Sequence, residues 1–104
     1  MSDHLADVKK YAKSAVDEKA LESMAKTYRL VLSQADTRYV ACSDQAELDR
    51  VRENFLKKKL GLSSDDLDAS IKSVCETMKA SRSKSRLTFY YLLAEHYGKL
   101  GTFG

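Results

Sequence analysis

Residues 84 to 100 read Lys-Ser-Arg-Leu-Thr-Phe-Tyr-Tyr-Leu-Leu-Ala-Glu-His-Tyr-Gly-Lys-Leu, a stretch that becomes apolar on nearly every side once wound into a helix. At about 100° per residue, Leu87, Tyr90, Tyr91 and Ala94 fall on one side and Phe89, Leu93 and His96 on the other. Thr88, Glu95 and Lys99 are left as a narrow polar stripe. A helix of this kind needs neighbours all round, so the pattern predicts a core helix rather than a surface one.

Four further helical spans precede it. The first, about 3 to 14, puts Leu5, Val8 and Ala12 on one side and is short. Asp17 suits an N-cap, with Val16 and Leu21 placed for a hydrophobic staple. From there Leu21, Met24, Ala25, Tyr28, Val31 and Leu32 repeat at helical spacing opposite Glu22, Lys26 and Arg29, predicting a helix over 18 to 32. Residues 33 to 43 break the period and read as a connector with a small β-prone cluster at Tyr39 and Val40. Asp44 followed by Glu47 forms a capping-box pattern, after which Leu48, Val51 and Phe55 carry the inner face of a helix to Leu60, and Gly61 supplies a left-handed stop. Ser63 fits the next N-cap, between Leu62 and Leu67 as staple, with Asp65 and Asp66 in the first turn. Leu67, Ile71, Val74, Cys75 and Met78 then give the cleanest amphipathic face, ending near Lys79. The Ser81-Arg82-Ser83-Lys84-Ser85 connector follows, with Ser83 or Ser85 to cap the last helix. The expected fold is all-α: one compact domain over residues 1–104, a bundle of four main helices plus a short N-terminal one, with the C-terminal helix central.

Composition agrees with a folded domain. With 43% hydrophobic and 32% charged residues and no proline, the chain lies far from disordered compositions. A net charge of +3 sets up no strong field toward nucleic acid or anionic lipid, so any such binding must come from a local patch. The N-terminal residues lack the apolar run of a signal peptide, and no stretch approaches the roughly 20 apolar residues of a membrane span, which leads to an expected cytoplasmic location. Cys42 and Cys75 have neither metal-ligand spacing nor companions for a disulfide framework and are expected as free thiols, Cys75 packed as a small hydrophobe.

Several constellations bear on chemistry. Leu60-Gly61-Leu62-Ser63 resembles the turn of a helix-turn-helix reader, but the following helix begins with Asp65, Asp66 and Asp68, where phosphates would approach. Lys57-Lys58-Lys59 spreads around a helix end and suits the dipole there. Arg82, Lys84 and Arg86 crowd a helix start, where the dipole disfavours cations. Either an internal carboxylate such as Asp65, Asp66 or Asp68 offsets them, or an external anion sits among Arg82, Ser83, Lys84, Ser85 and Arg86. His96 shares its side with Phe89 and Leu93 and reads first as a packed core or rim histidine. His4 has no neighbouring partner of interest. Tyr90, Tyr91 and Tyr97, with Tyr39 and Phe103, are candidate interface residues, although their helical placement also fits core packing. No local motif marks a catalytic residue, a metal site or a cofactor.

The Thr88-Phe89-Tyr90-Tyr91-Leu92-Leu93-Ala94-Glu95 segment, followed by Gly98-Lys99-Leu100, resembles the C-terminal part of a family of small bacterial proteins catalogued as a domain of unknown function. The similarity extends over the Leu60-Gly61-Leu62 turn and its flanking helices. It implies a bacterial cytosolic protein and brings no activity, cofactor or catalytic residue. Three readings follow. The first is a non-enzymatic interaction or accessory module with a protein partner or a second copy of the chain. The second is binding of nucleic acid or a phosphorylated ligand through the basic start of the last helix, and the third is a small enzyme using His96.

Overall fold

The computed structural model describes residues 2–12, 15–34, 38–63, 65–79 and 84–102. The chain forms α1 (Ser2–Tyr11), α2 (Glu18–Thr27), α3 (Arg29–Ser33) and α4 (Gln45–Arg50). A π-helix, Val51–Lys59, continues α4 directly; α5 (Leu67–Thr77), α6 (Arg86–His96) and a 3₁₀ turn, Leu100–Thr102, complete it. No strand occurs among the described residues, and the fold is all-α. Its radius of gyration is 12.4 Å, against about 13 Å for a folded chain of 100 residues.

α6 is buried from Arg86 through Ala94 and packs chiefly on α1 and α5, with α2 and the 3₁₀ turn also in contact. Its lack of a polar face is therefore matched by neighbours on several sides. Thr88, which the periodicity places on the polar stripe, is fully enclosed; its hydroxyl donates to the Asp7 carboxylate of α1. A short polar side chain can sit inside because a distant helix satisfies it.

At the start of α2 the Asp17 carboxylate accepts the Ala20 amide at 3.0 Å, the predicted cap. The helix predicted over 18 to 32 is divided at Tyr28, where φ is −105° and ψ 19°. Just before the break the Thr27 hydroxyl donates to the Ser23 carbonyl at 2.9 Å, a back-bond that loosens the helical ladder.

Asp44 caps α4 by accepting the Ala46 amide at 3.0 Å, but the expected capping box does not close, since Glu47 turns to Arg50 and Arg86. Beyond Arg50 the ladder widens: Leu60 donates to the Phe55 carbonyl, five residues back, at 2.9 Å. This wider period gathers Val51, Phe55, Leu56 and Leu60 into the core. Gly61, at φ +70°, then ends the segment as predicted. The N-cap position of α5 is Asp66 rather than Ser63, and Asp66 makes no side-chain cap bond. Ser70, Ile71, Val74 and Leu67 are the buried residues of α5.

Two long-range ties set the positions of the loops. Tyr39 forms an isolated antiparallel bridge with Ser85, and Val40 donates to the Lys84 carbonyl at 2.8 Å, so the β-prone cluster is indeed extended. Cys42 and Cys75 are joined in a disulfide with Cα atoms 6.0 Å apart, which corrects the expectation of free thiols. Their 33-residue separation carries no local signature; only the fold brings the connector against α5.

Candidate functional site

The bridge at Ser85 delivers Arg86 into the protein, and its position on the first turn of α6 decides what it can meet. Its guanidinium pairs with the Glu47 carboxylate of α4, donates to the Tyr90 hydroxyl at 3.0 Å, and reaches the Tyr39 carbonyl at 3.4 Å. The two side chains of the ion pair are only 8% and 12% exposed. The other oxygen of Glu47 pairs with Arg50 at 3.0 Å, and Arg50 stands out in solvent. Among the described residues, one carboxylate therefore sits between two guanidinium groups, one buried and one in solvent.

An aromatic group supports it. Tyr90 stacks on Phe55 with ring centres 4.1 Å apart, Tyr28 meets Tyr90 edge-on at 5.1 Å, and the Arg86 guanidinium lies 5.6 Å from the Tyr90 ring centre. Burial disfavours the Arg86 charge, but the Tyr90 oxygen and the Glu47 carboxylate outweigh it and hold the guanidinium above its ordinary range. Burial likewise pushes the Tyr90 hydroxyl up, against the pull of Arg86, and raises Tyr28 strongly, with Tyr90 adding to the effect.

These groups open onto a cleft of about 460 Å³. Tyr28 and Val31 come to it from the α2–α3 break, Glu47 and Arg50 from α4, Asn54 from the π-helix, and Arg86 and Tyr90 from α6. The volume falls in the range of roughly 300–1,000 Å³ that small-ligand and side-chain pockets occupy. Nearby on the chain, Leu30 is 74% exposed and Tyr39 42% exposed. Asn54 in the π-helix is where a widened helical turn meets the cleft, a placement that π segments often have at functional sites.

The remaining candidates lie elsewhere. Arg82, Ser83 and Phe103 lie outside the described residues. Lys84 lines a different cleft, beside the disulfide. Ser85 is the N-cap residue of α6 but makes no cap bond, and its enclosed hydroxyl has no partner among the described residues. Tyr91 is fully enclosed, and its oxygen accepts the Asp17 amide. Tyr97 is half-buried and donates to the Ser70 hydroxyl at 2.8 Å. Asp68, proposed from the sequence as a partner for the basic connector, instead meets Arg52 at 2.8 Å; that guanidinium also holds Glu53 and Asp49. The hydrogen bond from Arg52, together with Lys57, keeps the Glu53 carboxyl below its usual range.

His96 is exposed in the last turn of α6, edge-on to Tyr97 with ring centres 4.8 Å apart. The cavity beside it, between Tyr11, Val74, Leu92 and Glu95, measures about 20 Å³, enough for a water and too small for a substrate. Among the described residues no group of three or more His, Cys, Asp or Glu side chains is placed to hold a metal ion, and no helix is long and apolar enough to cross a membrane.

Glu47 is the site residue that sequence reasoning missed as a partner for Arg86. Its spacing from Asp44 suits a local cap, and a contact 39 residues away leaves no trace in periodicity. Arg50 and Asn54 follow Glu47 at intervals of three and four, which does place them on one helical face.

Fold and cleft together define an all-helical domain with an arginine- and tyrosine-lined cleft. The chain belongs to the family DUF2853, proteins of unknown function, whose model matches residues 3–101. No curated protein matches it.

Proposed function

We propose that this protein is a non-enzymatic interaction module of the bacterial cytosol that receives an acidic side chain of a protein partner in the cleft between Arg50 and Arg86. One observation carries the reading: Arg50, which shares Glu47 with Arg86, stands in solvent on the wall of a cleft of about 460 Å³ that has room for a second carboxylate. Arg50 is 62% exposed and can swing from Glu47 to an incoming group without unburying anything. Arginine beside aromatic rings is the composition of interface hot spots, and Tyr39, whose carbonyl Arg86 reaches, is itself exposed.

Titrating the ¹⁵N-labelled protein with short acidic peptides and their side-chain-amidated counterparts tests the proposal. The acidic peptides should move the signals of Arg50, Asn54 and Tyr90 in a saturable way, and both the amidated peptides and the Arg50→Glu variant should abolish the effect. No movement at millimolar peptide rejects the reading. Light scattering tells whether the partner is a second copy of the chain. The nucleic-acid reading is less well supported, because Arg86 is engaged by Glu47 and Lys57 by Glu53 at 3.0 Å. Oligonucleotide binding at low salt, steeply weakened by added salt, would favour it instead.

A further inference from the structure

A second cleft, of about 510 Å³, opens at the Cys42–Cys75 pair. Both cysteines line it and both are half-buried rather than enclosed. Lys72 and Lys79 also line it, as does Lys84, and Glu76 is the one carboxylate among the described residues of its lining. Glu76 pairs with Lys79 at 3.8 Å, but the two side chains are 75% and 77% exposed, and water screens such a pair heavily. Lys72 stands three residues before Cys75, on its side of α5, and Lys79 follows in the turn just past the end of that helix.

Thiol–disulfide exchange needs an accessible sulfur, an attacking thiolate and a leaving thiolate that the surroundings stabilise. Cationic neighbours supply the last of these, because ammonium groups lower the pKa of a nearby thiol. In the cytosolic setting proposed above, on which this inference rests, a disulfide is more often an exchanging pair than a structural one. We propose that Cys42–Cys75 is a thiol–disulfide exchange site whose lysine-lined cleft takes a small thiol carrying carboxylate groups.

In the first step the thiolate of the small thiol attacks the Sγ of Cys42. A new S–S bond forms there as the Cys42–Cys75 bond breaks, and its electron pair leaves on the Sγ of Cys75, which shares the cleft with Lys72 and Lys79. A second small thiolate attacks the small-thiol sulfur of the mixed disulfide and releases Cys42 as a thiolate. The two protons lost by the small thiols return through water to the two cysteines. The balance is two small thiols oxidised to their disulfide and one protein disulfide reduced to two thiols. The cleft chooses the reductant by charge, and the lysines choose Cys75 as the leaving sulfur.

The test uses the oxidised full-length protein and three small thiols: 3-mercaptopropionate, 2-mercaptoethanol and cysteamine, with rates normalised to thiolate concentration. The anionic thiol should react about tenfold faster than the neutral one, and the cationic one slowest. Added salt, or the Lys72→Gln/Lys79→Gln pair of exposed substitutions, should compress that order toward equality. In a separate arm, the Cys75→Ser variant treated with the disulfide of the anionic thiol should hold a stable mixed disulfide at Cys42, seen by mass mapping. Equal rates for the three thiols, an order unchanged in the lysine variant, or no reduction of the folded protein overturns the proposal.

Discussion

Tyr91, in the middle of α6, accepts the backbone N–H of Asp17 on its phenolic oxygen at 2.8 Å, across 74 positions of sequence. The residue that caps α2 with its side chain is thereby tied to the core helix by its main chain. Tyr91→Phe keeps the ring and removes the acceptor, so the loss should be that of one partly buried hydrogen bond, about 1–2 kcal/mol. For a domain of this size that corresponds to a melting temperature lower by about 4–8 °C per kcal/mol. Hydrogen exchange gives the sharper readout: the Asp17 amide should lose protection, with the interior amides of α5 falling only by the global change.

Glu47 and Arg86 lead to an asymmetric pair of expectations. Glu47→Ala takes the paired carboxylate from a guanidinium that is 8% exposed, leaving it the Tyr90 hydroxyl and the Tyr39 carbonyl, and should cost about 3–5 kcal/mol, the penalty for breaking a buried ion pair. Arg86→Met should cost less, because Glu47 keeps Arg50 at 3.0 Å and can turn toward solvent with it. The double variant Glu47→Leu/Arg86→Met should recover much of the loss, since a well-packed apolar pair replaces a buried ionic one at little cost. Urea unfolding of the three variants measures the order; Arg86→Met as the worst of them contradicts the shared-carboxylate geometry.

What the sequence made legible was local. The Asp17 cap, the Gly61 stop and the apolar wrap of Leu87 to Ala94 each depend on residues within a turn or two of one another, and the structure has all three. Glu47 shows the limit: Asp44 and Glu47 have capping-box spacing, yet the carboxylate does more for Arg86 than for its own helix end. Thr88 looks like surface until Asp7 is seen to reach it. The π-helix is hidden for a different reason, because Val51, Phe55 and Leu60 suit an ordinary amphipathic helix until the bond from Leu60 to Phe55 is known. Cys42 and Cys75, expected as free thiols, are paired because the connector packs on α5, a contact that a separation of 33 positions does not announce.

Stability should also fall at alkaline pH through the tyrosines. Burial raises the hydroxyls of Tyr28, Tyr90 and Tyr91 above the ordinary value of 10.0, so the folded state keeps protons that the unfolded chain gives up. The stability they contribute is complete below about pH 10 and is lost as pH rises toward the folded-state values. Urea midpoints should be insensitive to these groups at neutral pH and decline above about pH 10, and Tyr28→Phe should make that decline shallower. Phenolate absorbance offers a second check: among the six tyrosines, a fraction should ionise only with unfolding.

Asp17 and Ser85 occupy the same formal position at the starts of α2 and α6, yet truncation should move stability in opposite directions. The Asp17 carboxylate accepts the Ala20 amide at 3.0 Å, so Asp17→Ala loses a true cap and should cost about 1 kcal/mol. The Ser85 hydroxyl is enclosed and has no partner among the described residues, while the backbone of Ser85 is already held by its bridge to Tyr39. Ser85→Ala therefore removes a desolvated polar atom and no hydrogen bond, and should be neutral or stabilising by up to about 1 kcal/mol. Thermal unfolding of the two variants side by side decides it. A loss at Ser85 equal to that at Asp17 would mean that the hydroxyl holds a group at the entry to α6, and the start of the core helix would then be anchored by its side chain as well as by the bridge.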